Sequence, residues 1–252
     1  MQKPAIFLVD NGSLRPQATF ALRDLADRLS AGTTQQIEAV SLLHSHKIPA
    51  TKLGGLPATI VKRRMRELVQ AGQREFMILP LFLGPSLAIT DYLPTIIDEL
   101  RQKHPDLIVR IAEPVAGKDV GQPDPRLCTI LAESIRAVAG ERADTRFALV
   151  DHGTPIRPVN TLRNTVAREL ELQLGRPVQP CSMERREGPD YAFNDPLLEN
   201  LASVEGYRGS RVILAMFFLL PGRHAGEGGD VADIVQGLVQ SGDFKSVEIC
   251  PL

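Results

Sequence analysis

The stretch RFALVDHGT, residues 146–154, has an earlier counterpart in AIFLVDNGS at 5–13. Each is an apolar run that ends in Asp, one polar residue and Gly. A continuous apolar run of this length reads as a buried strand, and the Gly reads as the turn that ends it. The likeness continues outward in the same order. LRDLADRL at 22–29 resembles LRNTVAREL from 162, and FMILPLFLGPSLAITD at 76–91 resembles VILAMFFLLPGRHAGE at 212–227. Order kept across three segments points to an internal duplication.

The rest of the chain fits two copies of one unit. Strands are expected at 5–9, 37–43, 76–83 and 107–112, with helices at 18–29, 56–71 and 91–103. Residues 113–126 hold three prolines and two glycines and read as a loop, followed by a helix at 127–138. The pattern then restarts, with strands at 147–150, 178–183, 212–219 and 246–249 and helices at 159–174, 196–204 and 231–239. Strands buried on both faces and alternating with helices imply parallel sheets. The expected fold class is α/β: two similar doubly wound units, each with a mostly parallel four-stranded sheet. The expected units are 1–140 and 141–252.

Composition narrows the function. The 252 residues carry 29 Lys and Arg against 30 Asp and Glu, with no Trp and three Tyr. Neither a basic excess nor an aromatic platform is present, so nucleic acid is disfavoured as a partner. Cys128, Cys181 and Cys250 are scattered and form no CxxC pair, which excludes disulfide frameworks and the common zinc-ribbon spacings. The longest apolar run, 212–220, is about half of a bilayer span. The expectation is a cytoplasmic protein without a membrane partner, monomer or homodimer. There is no GxSxG elbow, GxGxxG or Walker motif, so neither an esterase nor a nucleotide site is expected.

Ligands of open α/β sheets bind beyond the carboxyl ends of the strands. In the second unit those ends are Asp151-His152-Gly153, Cys181-Ser182-Met183-Glu184 and Pro221-Gly222-Arg223-His224. In the order 2-1-3-4 they are neighbours, about 4.8 Å apart from strand to strand. Two imidazoles and a carboxylate would then meet, a donor set suited to a divalent transition metal with open positions. Taken singly, a histidine at a strand end is an ordinary loop residue, and Glu184, in MERREG, also reads as part of a solvated loop. The first unit is an internal control. Asn11 matches His152, Ala88 matches His224, and His44 or Leu43 matches Glu184, so only the second unit can build the set. His44 and His46 read as a surface loop or a metal clip, and His104 as a helix-end residue. GEGGD at 226–230 could dock an anion on its backbone N–H groups.

Together, strand-DHGT, SMER and strand-PGRHAGEGGD resemble the sirohydrochlorin chelatases, the cobalto- and ferrochelatases of the CbiX type. LPLFLGPSLAITDYLP at 79–94 resembles the same segment without its histidine. The likeness spans nearly the whole chain as a two-unit long form. It implies an enzyme, a metal chelatase of the lyase class that needs no nucleotide and inserts Co2+ or Fe2+ into a sirohydrochlorin-type tetrapyrrole, in cobalamin or siroheme biosynthesis. The divalent metal is a substrate. The resemblance implies His152 and His224 as metal-handling and catalytic residues and Glu184 as the assisting carboxylate. In some long members the histidines lie in the first unit; here that unit would serve as a wall of the substrate cleft. Arg157, Arg185, Arg186 and Arg223 are candidates for the tetrapyrrole carboxylates, although each alone reads as a solvated charge. Competing expectations are a non-catalytic metal- or tetrapyrrole-binding protein derived from a chelatase, and a flavodoxin-like binding domain.

Overall fold

In the computed structural model, which describes residues 3–140, 144–226 and 228–252, strands β1 (Ala5–Asp10), β2 (Ile37–Ser41), β3 (Glu75–Pro80) and β4 (Ile108–Ile111) form one sheet in the order β2-β1-β3-β4. Strands β5 (Thr145–Asp151), β6 (Val178–Ser182), β7 (Arg211–Met216) and β8 (Ser246–Ile249) form a second in the order β6-β5-β7-β8. Every pairing is parallel. Helices α1 (Pro16–Thr33), α2 (Val61–Gln70) and α3 (Leu93–Arg101) are crossovers within the first sheet, α4 (Pro125–Ala139) follows β4 and leads to the second sheet, and α5 (Arg157–Leu174) and α6 (Asp230–Gln240) are crossovers within the second. Among the described residues no helix is long and apolar enough to cross a membrane.

The duplication is visible in the register. Ile6 faces Ile37 and Met77; its counterpart Phe147 faces Val178 and Ile213. A single bridge beyond the first edge strand, Ser41 to Ile60, is repeated as Ser182 to Leu197. Each sheet has its own core. Phe7, Val9, Ile78 and Met65 are buried in the first, and Val150, Cys181, Leu214 and Val231 in the second. Each such side chain contributes roughly 1.5–3 kcal/mol by leaving water. The central positions of β1, β3, β5 and β7 follow from this, since only continuous apolar runs can sit between two helical layers.

Several elements depart from the expectation. The chain divides after Val115, not at 140/141. Helix α4 packs on α5 and β7, and the Arg211 guanidinium at the start of β7 donates to the carbonyls of Val138 and Ala139 at its end. A cation on terminal helix carbonyls is a favourable cap, and it ties α4 to the second sheet. The helix expected over 56–71 begins only at Val61, because the bridge at Ile60 holds the preceding residues extended. Helix α3 is preceded by a π turn, Ala88–Tyr92. The helix expected over 196–204 is a 3-10 turn, Leu198–Ser203. Its buried residues Leu198 and Leu201 are three apart, which places them on one face at 3.0 residues per turn. A second 3-10 turn, Pro189–Asn194, was not expected.

Candidate active site

The parallel register delivers the second unit's strand ends to one place. Beyond β5 and β6 the pairing continues: the Met183 N–H donates to the Asp151 carbonyl (2.8 Å) and the Glu184 N–H to the His152 carbonyl (3.2 Å). On the other side the Phe217 N–H donates to the Val150 carbonyl (2.8 Å). The His152 and His224 rings touch edge to face, with centroids 4.4 Å apart and planes at 75°. His152 Nε2 lies 3.4 Å from Glu184 Oε1. Side-chain exposure is 45% for His152 and 30% for His224, so both rings are supported from below yet open to a ligand. His152 Nδ1 is 3.0 Å from the Gly153 carbonyl, and His224 Nδ1 is 2.6 Å from Asp230 Oδ2. Among the described residues no three His, Cys, Asp or Glu side chains form a ready group for an ion. The second sheet offers instead two imidazoles in contact, with a carboxylate against one of them.

Gly153 makes this approach possible. Its φ is +94°, and a Cβ there would sit 1.8 Å from the Glu184 carbonyl oxygen. Gly12 repeats the arrangement against the Leu43 carbonyl oxygen at 1.8 Å, which settles the matching position: Leu43, not His44, corresponds to Glu184. Gly153→Ala is expected to cost about 2 kcal/mol or more, from a left-handed backbone and overpacking together. Urea unfolding reads that loss, and an unchanged midpoint would mean that the two loops part freely.

Beneath His152 lies a buried polar network. Asp151 Oδ1 accepts from the Gly153 N–H (3.1 Å), the Ser182 hydroxyl (2.8 Å) and Arg163 Nη1 (3.3 Å). Arg163 is 1% exposed and also donates to Ser182 Oγ (2.5 Å) and Asn164 Oδ1 (3.0 and 2.9 Å). Burial pushes the Asp151 carboxyl above the ordinary range, and Arg163, Ser182 and the Gly153 N–H pull against it. Asn194, also buried, accepts from the Thr154 N–H and donates to the Thr154 carbonyl, both at 3.0 Å. The loop carrying His152 is thus fastened from two sides.

Of the four arginines, Arg157 lies over the Phe193 ring at 4.7 Å and Arg186 over Tyr191 at 5.7 Å. Arg185 turns to Asp195 (2.8 Å) and to the carbonyls of Arg186 and Gly188. Arg223 Nε is 3.6 Å from Asp230 Oδ2. Among the described residues of 226–230, the N–H groups of the glycine-rich segment that could dock an anion are largely engaged. The N–H groups of Gly229, Asp230 and Val231 are taken by the carbonyls of Gly226, Arg223 and His224, and the first turn of α6 carries Asp230 and Asp233. Glu227 lies outside the described residues. His44 and His46 are exposed around a 3-10 turn of the first unit, and the His104 N–H donates to the Leu100 carbonyl at the end of α3. Cys181, next to Ser182, is fully buried, and burial pushes its thiol up to about 12.

Sequence reasoning passed over Asp230 and the Arg163 network. The signals were present as an acid closing GEGGD and an arginine beside the buried Leu162.

Residues 5–137, just over half of the chain, match the family described as CbiX. The match covers the first unit and α4. SirB from Bacillus subtilis with Fe3+ has the same fold, with a TM-score of 0.72 at 17% identity over 99% of this chain and 88% of that one. The sirohydrochlorin chelatase SirB from Bacillus subtilis subspecies spizizenii, in complex with cobalt, gives 0.68 at 15% over 99% and 87%. No curated protein matches the sequence. The first unit's sequence match and the shared two-sheet fold converge: the chain belongs to the CbiX family.

Proposed function

We propose that the protein inserts Co2+ or Fe2+ into a sirohydrochlorin-type tetrapyrrole, without a nucleotide, at the strand ends of its second sheet. The observation that carries this is the contact of His152 with His224, 4.4 Å between ring centroids, with Glu184 3.4 Å from His152. Two donors on one tetrahedral ion, each at about 2.1 Å, stand about 3.4 Å apart. The His152–Glu184 pair therefore already has the spacing that an incoming ion requires. An unfinished ligand set suits an ion that must leave again. Two imidazoles and a carboxylate accept both metals, and SirB, of the same fold, carries iron in one structure and cobalt in another.

The chemistry must take up one M2+ and release two protons from the pyrrole N–H groups. Imidazole suits both halves: neutral, it ligates; once the ion has moved on, it accepts a proton. Glu184, 62% exposed at its side chain, passes protons outward. The tetrapyrrole carboxylates fall to Arg157, Arg186 and Arg223, the first two lying over aromatic rings that restrict the guanidinium before a carboxylate arrives. Arg185 already serves Asp195.

The test is turnover. Purified protein mixed anaerobically with sirohydrochlorin and Co2+ or Fe2+, and no ATP, is expected to change the visible spectrum at least about tenfold faster than the mixture without protein. An equal rate overturns the proposal, and binding without acceleration supports the non-catalytic alternative.

A further inference from the structure

We propose that Asp230 is a positioning residue for metal delivery, fixing His224 as its Nδ1–H tautomer so that the Nε2 lone pair is the one presented to the ion. The inference rests on His224 handling the metal. Its ground is the 2.6 Å contact between His224 Nδ1 and Asp230 Oδ2. A carboxylate has no proton to donate when ionised, so the ring nitrogen facing it carries the hydrogen. The other nitrogen is then a donor toward metal, and a carboxylate behind a ligating imidazole orients it and raises its basicity.

Four further observations separate this pair from a chance surface contact. Asp230 is the first residue of α6, so the anchor belongs to a helix packed on the core through Val231 and Val235. The backbone reinforces it: the Asp230 N–H donates to the Arg223 carbonyl and the Val231 N–H to the His224 carbonyl, both at 3.1 Å. Histidine and acid are therefore tied by main chain and side chain alike. The first unit lacks both halves of the device. Ala88 stands where His224 would be and opens a π turn that runs directly into α3, leaving no intervening loop to turn a ring back onto the helix start. The two histidines also differ. His152 Nδ1 is held by the neutral Gly153 carbonyl at 3.0 Å, whereas His224 is held by a carboxylate, the stronger type of bond.

The experiment titrates Co2+, without tetrapyrrole, into wild type, Asp230→Ala, Asp230→Glu, Asp233→Ala and His224→Ala, following the visible cobalt bands. Long-range nitrogen NMR reads the His224 tautomer in the first four proteins. Asp230→Ala is expected to weaken Co2+ binding about 10–100-fold and to populate the Nε2–H tautomer. In turnover it raises KM for the metal more than KM for the tetrapyrrole, which shifts only through the release of Arg223, 3.6 Å from the same Asp230 oxygen. Asp230→Glu restores part of the affinity. Asp233→Ala, which removes the other acid of the same helix turn and does not touch the ring, leaves affinity and tautomer as in wild type. A purely structural role would instead make Asp233→Ala and Asp230→Ala alike. If His224→Ala weakens Co2+ binding but Asp230→Ala changes neither affinity nor tautomer, this inference falls alone. If His224→Ala itself leaves Co2+ binding intact, the metal assignment falls and takes the inference with it.

Discussion

His152→Ala or His224→Ala is expected to lower the rate of metal insertion at least about 100-fold, the scale of losing a positioned acid–base group, while the protein stays folded. The rings touch, and the second unit has no third histidine, since His44, His46 and His104 all belong to the first. Partial exposure of both rings, 45% and 30% at the side chain, keeps the stability cost near that of a surface change, within about 1 kcal/mol. Groups that act as one unit are not additive, so the double variant should be scarcely slower than either single one. Glu184→Gln keeps an oxygen ligand but cannot take a proton, and a smaller loss of about tenfold is expected. The measurement is the spectral rate with each metal, with circular dichroism to show the fold intact. Wild-type rates in both histidine variants would mean that insertion happens elsewhere on the molecule.

The sequence showed the histidine pair because the duplication supplied a ruler. Once AIFLVDNGS was laid on RFALVDHGT, the tips of β5 and β7 were fixed, and a parallel sheet with the order β6-β5-β7-β8 does the rest. Glu184 was less legible, since the segment between β6 and the next element has no fixed length; only the approach of Gly153 to the Glu184 carbonyl, matched by Gly12 and Leu43, settles it. Asp230 was hidden by the loop after His224. The acid stands six positions after the ring, a spacing that belongs neither to helix nor to strand, and the backbone bonds of 223–231 bring them together. The boundary between the units was misplaced for a similar reason. Helix α4 follows the proline-rich loop either way, and only Arg211, far along the chain, shows which sheet it joins. The family match covers 5–137, the half whose strand ends carry Asn11 and Ala88, so it identifies the family without locating the chemistry.

The same ruler yields a pair of opposite stability effects. Asp151 and Asp10 end equivalent strands, and Arg163 and Arg23 occupy equivalent places on α5 and α1. Arg163 turns inward to Asp151 and Ser182, whereas Arg23 turns outward to the carbonyls of Leu53, Leu56 and Pro57. Asp151→Ala strands a guanidinium that cannot shed its charge, and Arg163→Leu strands a carboxyl; each is expected to cost about 3–5 kcal/mol, the scale of a buried pair broken from one side. The double variant should cost less than the sum of the two, because each single change already carries the penalty of the orphaned partner. Asp10 has no such partner to lose: its Oδ1 is buried without a hydrogen bond, and burial raises its pKa above the ordinary value against the pull of the Ser41 hydroxyl and the Gly12 N–H. A carboxyl with a raised folded-state pKa contributes its stability in full below the ordinary value and loses it as pH rises through the raised one. Asp10→Asn removes that loss, so its stability should match wild type near about pH 4 and exceed it at neutral pH. Urea midpoints across this range read both effects. Asp151→Ala and Arg163→Leu each costing under about 1 kcal/mol, or Asp10→Asn losing stability as pH rises, would show that the two strand ends are not held as the hydrogen bonds describe.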